Sequence, residues 1–258
     1  MALIEFEHVQ KAFGPKVVYE DLNLLIHKGE ALTIIGGSGQ GKSVLLKMLI
    51  GLLSIDAGSI RFDGQEVGEM NEAGLLALRK RVSMLFQASA LFDSLSVREN
   101  VAYPLREHRR QMSEKVVESR VVECLEDVGL VDVIDMWPAD LSSGMRKRVA
   151  LARSLALDPE VILYDEPTTG LDPIAVEWIT DLIVELNDRY SVTTVVVTHD
   201  MPSAFRVSDR IAMIERGYVI FEGTPEEIQR SRDPRVRDFI QGNAPGDDDT
   251  ETLLRWGG

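Results

Sequence analysis

The chain reads as an α/β fold with an antiparallel β layer and an inserted helical subdomain, and three observations carry that expectation. Glycines crowd residues 36–43, Gly-Gly-Ser-Gly-Gln-Gly-Lys-Ser, between an apolar run and a stretch with helical spacing. Near-continuous apolar runs recur at 31–35, 161–164 and 193–197, as parallel strands covered on both faces require. From about 88 to 157 the pattern changes to the three-and-four spacing of helices. The 258 residues, 45% of them apolar, suffice for one large domain with a subdomain. The expected division is a core with its β layer at 1–87 and 158–240, a helical subdomain at 88–157 and a tail at 241–258.

Along the chain, Leu3 to Val9 alternate as an exposed edge strand would, and Gly58 to Gly64 alternate between glycine turns. Ala31 to Ile35 enters the glycine loop, and Val44 to Leu49 leaves it as a helix. Val82 to Phe86 is strand-like and ends at Gln87. Ser96-Val97-Arg98-Glu99 is a capping box, and helical spacing continues through Val116, Val117, Val121 and Leu125. A long helix follows Leu141-Ser142-Ser143-Gly144-Met145, and its basic residues Arg146, Lys147, Arg148 and Arg153 suggest a solvated face. Asp172-Pro173 caps and opens another helix, with Trp178, Ile179, Leu182, Ile183 and Leu186 on one face. Ile211 to Ile214 and Tyr218 to Phe221 suit a closing pair of strands, and Thr224-Pro225-Glu226-Glu227 starts a late helix. The tail turns acidic at Asp247-Asp248-Asp249 before Leu253, Leu254 and Trp256, which fits either a disordered end or a docking segment.

A net charge of −14 argues against coating a nucleic-acid backbone and suits simple solubility. Cys124 is the only cysteine, so no intrachain disulfide forms and a reducing compartment fits. The start lacks a basic, then apolar, leader, and no run reaches the ~18 residues of a membrane span. A soluble polypeptide is expected, with any membrane role coming through a partner.

The chemistry concentrates at a few positions. In Gly36, Gly37, Ser38, Gly39, Gln40, Gly41, Lys42, Ser43 and Val44 the strand, glycine turn and helix form a phosphate grip. The glycines let backbone N–H groups converge on a polyphosphate, and the helix start adds its positive dipole end. Lys42 can reach β- and γ-phosphates, and the Ser43 hydroxyl can ligate Mg²⁺. Asp165 and Glu166 end an apolar strand, where a carboxylate can hold Mg²⁺ and the next can polarise a water for in-line attack. Ser142, Ser143, Gly144 and Met145 at a helix start make a second phosphate-binding surface. One triphosphate sandwiched between the two grips would require two chains. Gln87 is a candidate Mg²⁺ contact at the subdomain junction, and His199 can hydrogen-bond a γ-phosphate. Phe13 is either an adenine-stacking face or a packed loop residue.

Taken together, these motifs resemble the ATPase subunits of ABC transporters from about residue 3 to 240. In the family's order, Phe13 matches the A-loop, 36–43 Walker A, Gln87 the Q-loop and 141–145 the signature. Asp165-Glu166 then matches Walker B with its catalytic base, Leu171-Asp172 the D-loop and His199 the switch histidine. The resemblance implies a RecA-like P-loop NTPase core that uses ATP and Mg²⁺. It also implies a homodimer in which each signature faces the other chain's Walker A, with Asp172 near the same nucleotide. Closure on ATP would drive an integral membrane permease. Ser143 and Met145 replace the usual glycine and glutamine, while Gly144 is kept, so the signature is expected to work.

Residues 86–95, 100–108 and 142–149, with Arg235 to Ile240 and the tail, are similar to the MlaF-type ATPases of MCE-linked phospholipid transport. That similarity implies an MlaE-like permease seated near Leu91 to Tyr103, an MCE-domain protein engaged indirectly, and a small accessory subunit. The implied location is peripheral, on the cytoplasmic face of the inner membrane. Rival expectations are an ABC subunit for an amino acid or lipoprotein, or a soluble ABC ATPase acting on DNA or ribosomes. The latter expects a long coiled-coil insertion or two nucleotide units in one chain, and the sequence has neither. A nucleotide switch that does not turn over conflicts with Glu166.

Overall fold

In the computed structural model, which describes residues 2–243, the centre is β3 (Ala31–Ile35) of a six-stranded sheet. It lies between β9 (Arg210–Glu215) and β8 (Thr193–Val197). Beyond β8 come β7 (Val161–Asp165) and β6 (Val82–Leu85), and β10 (Tyr218–Gly223) closes the other edge as a hairpin with β9. β3, β7 and β8 are buried at every position, which explains why their sequences run apolar instead of alternating. The pairs β3–β8, β8–β7 and β7–β6 are all parallel. Their carboxyl ends therefore deliver four loops to one edge of the sheet, the place where open α/β sheets bind ligands.

A second, antiparallel sheet runs β2 (Lys16–His27), β1 (Ala2–Phe13), β4 (Ala57–Phe62) and β5 (Gln65–Glu66). It corrects the expected exposed edge: β1 pairs with β2 on one side and β4 on the other. The two-residue alternation misled because β1 shifts register between Phe6 and Val9, where His8 takes φ 50°. Leu3, Ile4, Phe6 and Val9 are all buried.

Helix α1 (Lys42–Leu49) follows β3 and buries Leu45, Leu46, Met48 and Leu49 between the two sheets. α2 (Glu72–Arg81) leads into β6. Three helices then fill the sequence up to β7: α3 (Val97–His108), α4 (Glu114–Asp127) and α5 (Ser143–Leu155). The Ser96–Glu99 capping box forms at the start of α3. The helical spacing beyond it belongs to α4, and Val116 stands half exposed while Val117, Val121 and Leu125 are buried. Asn100, fully buried, ties the preceding loop down. Its Oδ1 accepts from Phe92 N–H, and its amide donates to the carbonyls of Phe92, Leu95 and Ser96.

α6 (Pro173–Tyr190) is capped by Asp172, whose Oδ1 accepts from Ile174 and Ala175 N–H. It buries Ile179, Leu182, Ile183 and Leu186, whereas Trp178 is 63% exposed, against the expectation that it joins that face. α7 (Met201–Val207), α8 (Pro225–Gln229) and α9 (Pro234–Gln241) cover the β9 side. The Thr224–Glu227 capping box forms at α8. No helix among the described residues is long and apolar enough to cross a membrane. Of the expected tail, residues 244–258, with Leu253, Leu254 and Trp256, lie outside the described residues.

Candidate active site

β3 ends at Ile35 and the chain bends at once through Gly36, at φ 152°. A Cβ there would sit 2.3 Å from the Ile214 carbonyl oxygen, so only glycine fits. At Gly41, φ 95°, a Cβ would meet Val18 Cγ1 at 2.3 Å. The Gly41 carbonyl accepts from the buried Tyr19 hydroxyl at 2.8 Å. α1 starts with no side-chain cap, which leaves its first-turn N–H groups to an anion. Lys42 is 7% exposed and folds back over the loop, donating to the carbonyls of Gly36 and Gly37 at 2.7 and 3.0 Å. Burial lowers its pKa below the usual lysine range, while Glu166 and Asp165 push it back up.

The Ser43 hydroxyl donates to Asp165 Oδ1 at 2.6 Å. A hydroxyl and a buried carboxylate side by side are hard oxygen donors and fit a Mg²⁺ ion. Among the described residues no cluster of three or more His, Cys, Asp or Glu could hold a metal alone. That suits an ion held by one or two protein oxygens plus phosphate and water. Gln87, exposed after β6, lines the same cleft.

Glu166 occupies a left-handed conformation, φ 50°, which for a residue with a Cβ costs about 1–2 kcal/mol. Its surroundings enforce that backbone. The Glu166 N–H donates to Val197 O at 2.9 Å, and its carbonyl accepts from Lys147 Nζ and Thr169 N–H, both at 3.3 Å. Its side chain is equally fixed: Oε2 accepts from Thr169 Oγ1 at 3.1 Å and lies 2.8 Å from His199 Nδ1. Glu166 and His199 thus line the cleft as a joined pair.

These groups line a cleft of about 690 Å³ that takes in Phe13, Gly36, Gly37, Ser38, Gly39, Gly41, Lys42, Ser43, Val44, Gln87, Glu166 and His199. Gln40 turns away, its Oε1 accepting from Arg216 N–H, and Asp165 sits behind Ser43. Phe13 is 45% exposed, with Lys11 Nζ 5.1 Å from its ring centroid. The ring is exposed and lines the cleft. Lys16, Val18, Thr169 and Phe239 also line the cleft and escaped the sequence reading. Lys16 and Val18 sit just past Phe13 and Thr169 just past the carboxylates, so proximity to those motifs was the only signal.

A separate cleft of about 250 Å³ is lined by Ser142, Ser143, Gly144 and Met145 together with Asp172, Ile174 and Trp178. Ser142 caps α5, its hydroxyl accepting from Met145 N–H at 3.2 Å. No residue lines both clefts.

The basic residues of α5 correct the expected solvated face. Lys147 is 4% exposed, and Arg146, Arg148 and Arg153 are partly buried. Arg146 donates to Leu141 O, Arg148 to Val128 O, and Arg153 to the carbonyls of Ser89 and Ala90. Lys147 donates to the carbonyls of Gln87 and Glu166. Helix periodicity shows that these cations lie apart from the apolar stripe. It does not show that loop carbonyls cover them.

Comparison with known proteins identifies the family. Residues 19–169 match the family model described as ABC transporter. The chain is 42% identical over 244 residues to the intermembrane phospholipid transport system ATP-binding protein MlaF of Haemophilus influenzae, covering 95% of this chain and 92% of that protein. It is 40% identical over 243 residues to the probable ribonucleotide transport ATP-binding protein mkl of Mycobacterium leprae, covering 94% of this chain and 70% of the relative. Among solved structures it resembles cbiO1 of Clostridium perfringens, part of the ABC transporter complex cbiONQ. There the TM-score is 0.82 at 30% identity, over 89% of this chain and 91% of that one. It also resembles the dimeric ATP-binding cassette MJ0796 bound to ADP and Pi in a post-hydrolysis state. That TM-score is 0.79 at 33% identity, over 86% of this chain and 98% of that one. The chain belongs to the ABC transporter family, as an ATP-binding, ATP-hydrolysing subunit.

Proposed function

We propose that two copies of this chain clasp two ATP molecules between them and power phospholipid movement between membranes through an integral membrane permease. The observation that carries the enzymatic part is the convergence of Lys42, Ser43, Asp165, Glu166 and His199 at one sheet edge, with the signature surface in a separate cleft. A nucleotide held by both surfaces needs the second chain, and the dimeric cassette of similar fold supports that arrangement.

Within each site Lys42 would leave the Gly36 and Gly37 carbonyls for the β- and γ-phosphates, and Phe13 would stack on the base. Ser43 and Asp165, with Gln87, would hold Mg²⁺, which when bound neutralises charge on the β- and γ-phosphate oxygens. Glu166 orients a water for attack on the γ-phosphorus and takes its proton. The bond to the β-phosphate oxygen breaks, and ADP and orthophosphate leave. As an imidazolium, His199 would donate from Nε2 to the γ-phosphate and from Nδ1 to Glu166, so the two groups would respond together to that phosphate.

For the cargo, support comes from the relatives' names. The phospholipid-transport protein of H. influenzae matches nearly end to end, whereas the ribonucleotide-transport relative extends well beyond the match. A peripheral position on the cytoplasmic side of the inner membrane follows from that assignment. The test is reconstitution of the chain with its co-expressed permease in lipid discs, measuring phosphate release and movement of a labelled phospholipid. Hydrolysis coupled to lipid movement is expected. A complex that releases no phosphate defeats the enzymatic part, and one that hydrolyses ATP without moving lipid defeats the cargo.

A further inference from the structure

A lysine in the interior needs an explanation, because burying an ammonium away from a carboxylate is unfavourable unless other acceptors replace water. Lys147 lies two residues past the signature, on the second turn of α5, and is 4% exposed. It forms no ion pair within 4.0 Å among the described residues, although the more distant charges of Asp165 and Glu166 partly offset the cost of its burial. Its acceptors are two main-chain carbonyls, Gln87 O at 2.5 Å and Glu166 O at 3.3 Å. Those residues follow different strands, β6 and β7. A single ammonium thus joins the loop carrying the candidate metal-contacting amide to the residue carrying the candidate base. The same helix holds the next residues of the first loop. Arg153 donates to the carbonyls of Ser89 and Ala90, both of which have positive φ, 65° and 49°.

We propose that Lys147 is a positioning residue for hydrolysis: it holds the Glu166 backbone in its left-handed turn and ties Glu166 and Gln87 to the helix that begins with the signature. Movement of that helix when the signature meets nucleotide is then felt at the catalytic glutamate of the same chain. The proposal rests on the ATP-hydrolysing reading and adds a residue to it. Lys147 acts on the orientation of Glu166 and touches no nucleotide, so its loss lowers kcat and spares ATP binding.

The experiment compares wild type with Lys147→Met, Lys147→Gln and Lys147→Arg in the full-length protein within its permease complex. Each is placed in the parent and in the Glu166→Gln background. Steady-state phosphate release gives kcat and KM, single-turnover release quantifies the slow Glu166→Gln forms, and a fluorescent ATP analogue reports binding. Lys147→Met is expected to lower kcat about tenfold with KM changed less than twofold. Lys147→Arg, which keeps a cation with several donors, recovers at least a third of the parent rate. In the Glu166→Gln background Lys147→Met lowers the residual rate less than twofold, because the residue through which it acts is already gone. If Lys147→Met does not fold, the Gln and Arg variants carry the same comparison. A Lys147→Met enzyme with the parent kcat overturns the proposal. So does a loss confined to KM, or a tenfold loss that persists on top of Glu166→Gln. A wild-type complex that releases no phosphate defeats the ATPase reading itself, an outcome visible before any variant is compared.

Discussion

Asn100→Ala tests whether the loop from Phe92 to Ser96 is held by one side chain. Asn100 is fully buried and makes four hydrogen bonds to that loop, at 2.8 to 3.1 Å. Two of the carbonyls keep another partner after truncation: Phe92 O still accepts from Leu95 N–H and Ser96 O from the Asn100 N–H. Phe92 N–H and Leu95 O lose their Asn100 contacts. An unsatisfied buried group costs about 1–3 kcal/mol, and Phe92 is 40% exposed, so water relieves part of that. The expected loss is about 2–3 kcal/mol, a fall in Tm of roughly 5–10 °C for a chain of this size. Differential scanning fluorimetry with and without ATP measures it, and urea titration supplies the free energy. A fall under about 2 °C would refute the claim that this amide supports the loop. Phe92 packs on Tyr103, their ring centroids 4.7 Å apart, so on the proposal that a permease seats near Leu91 to Tyr103 the loosened loop is also expected to weaken its stimulation of ATPase activity.

Other outcomes follow from the same geometry. Glu166→Gln keeps ATP affinity within about threefold but lowers kcat by about 10²–10⁴, the usual worth of a general base, and accumulates an ATP-bound dimer on size exclusion. A parent-like rate would remove the base assignment. Lys42→Ala removes a charged donor worth about 1.5–3 kcal/mol and weakens ATP binding about 10- to 150-fold by calorimetry. Unchanged affinity would disprove its contact with phosphate. Cys124 is fully buried, and that burial pushes its thiol up to about 12. At pH 8 on the order of 10⁻⁴ of it is ionised, so iodoacetamide is expected to label it only after denaturation. Stoichiometric labelling of the native protein would contradict the burial.

Where the sequence was readable, a local rule governed the structure. A glycine that tolerates no Cβ, a Ser or Thr followed three residues later by Glu, and an apolar run buried on both faces each report their own environment. The nucleotide loop, the capping boxes of α3 and α8, and β3, β7 and β8 were legible for that reason. The full extent of β2 was not, although Leu22, Leu24 and Ile26 alternate inward, because its other half pairs with β1 across shifted register. Trp178 follows helical spacing yet faces out, since spacing fixes a side chain's angle on the helix and not what stands opposite it.

The candidate site divides along the same line. Lys42, Ser43, Asp165, Glu166, Gln87 and His199 could be named because each stands at or just past a strand end or a helix start, and parallel strands send those ends to one edge. What the residue order does not contain is their mutual support. Glu166 lies 33 residues before His199 in the chain, yet the two touch at 2.8 Å, and the backbone of Glu166 leans on Val197 of the strand that leads to His199. The glutamate and the histidine are therefore coupled through both side chain and main chain. Replacing His199 should consequently disturb the placement of Glu166 as well as the phosphate contact. A His199→Ala enzyme whose loss of rate matches that of Glu166→Gln, and does not multiply with it in the double variant, is the result this coupling requires.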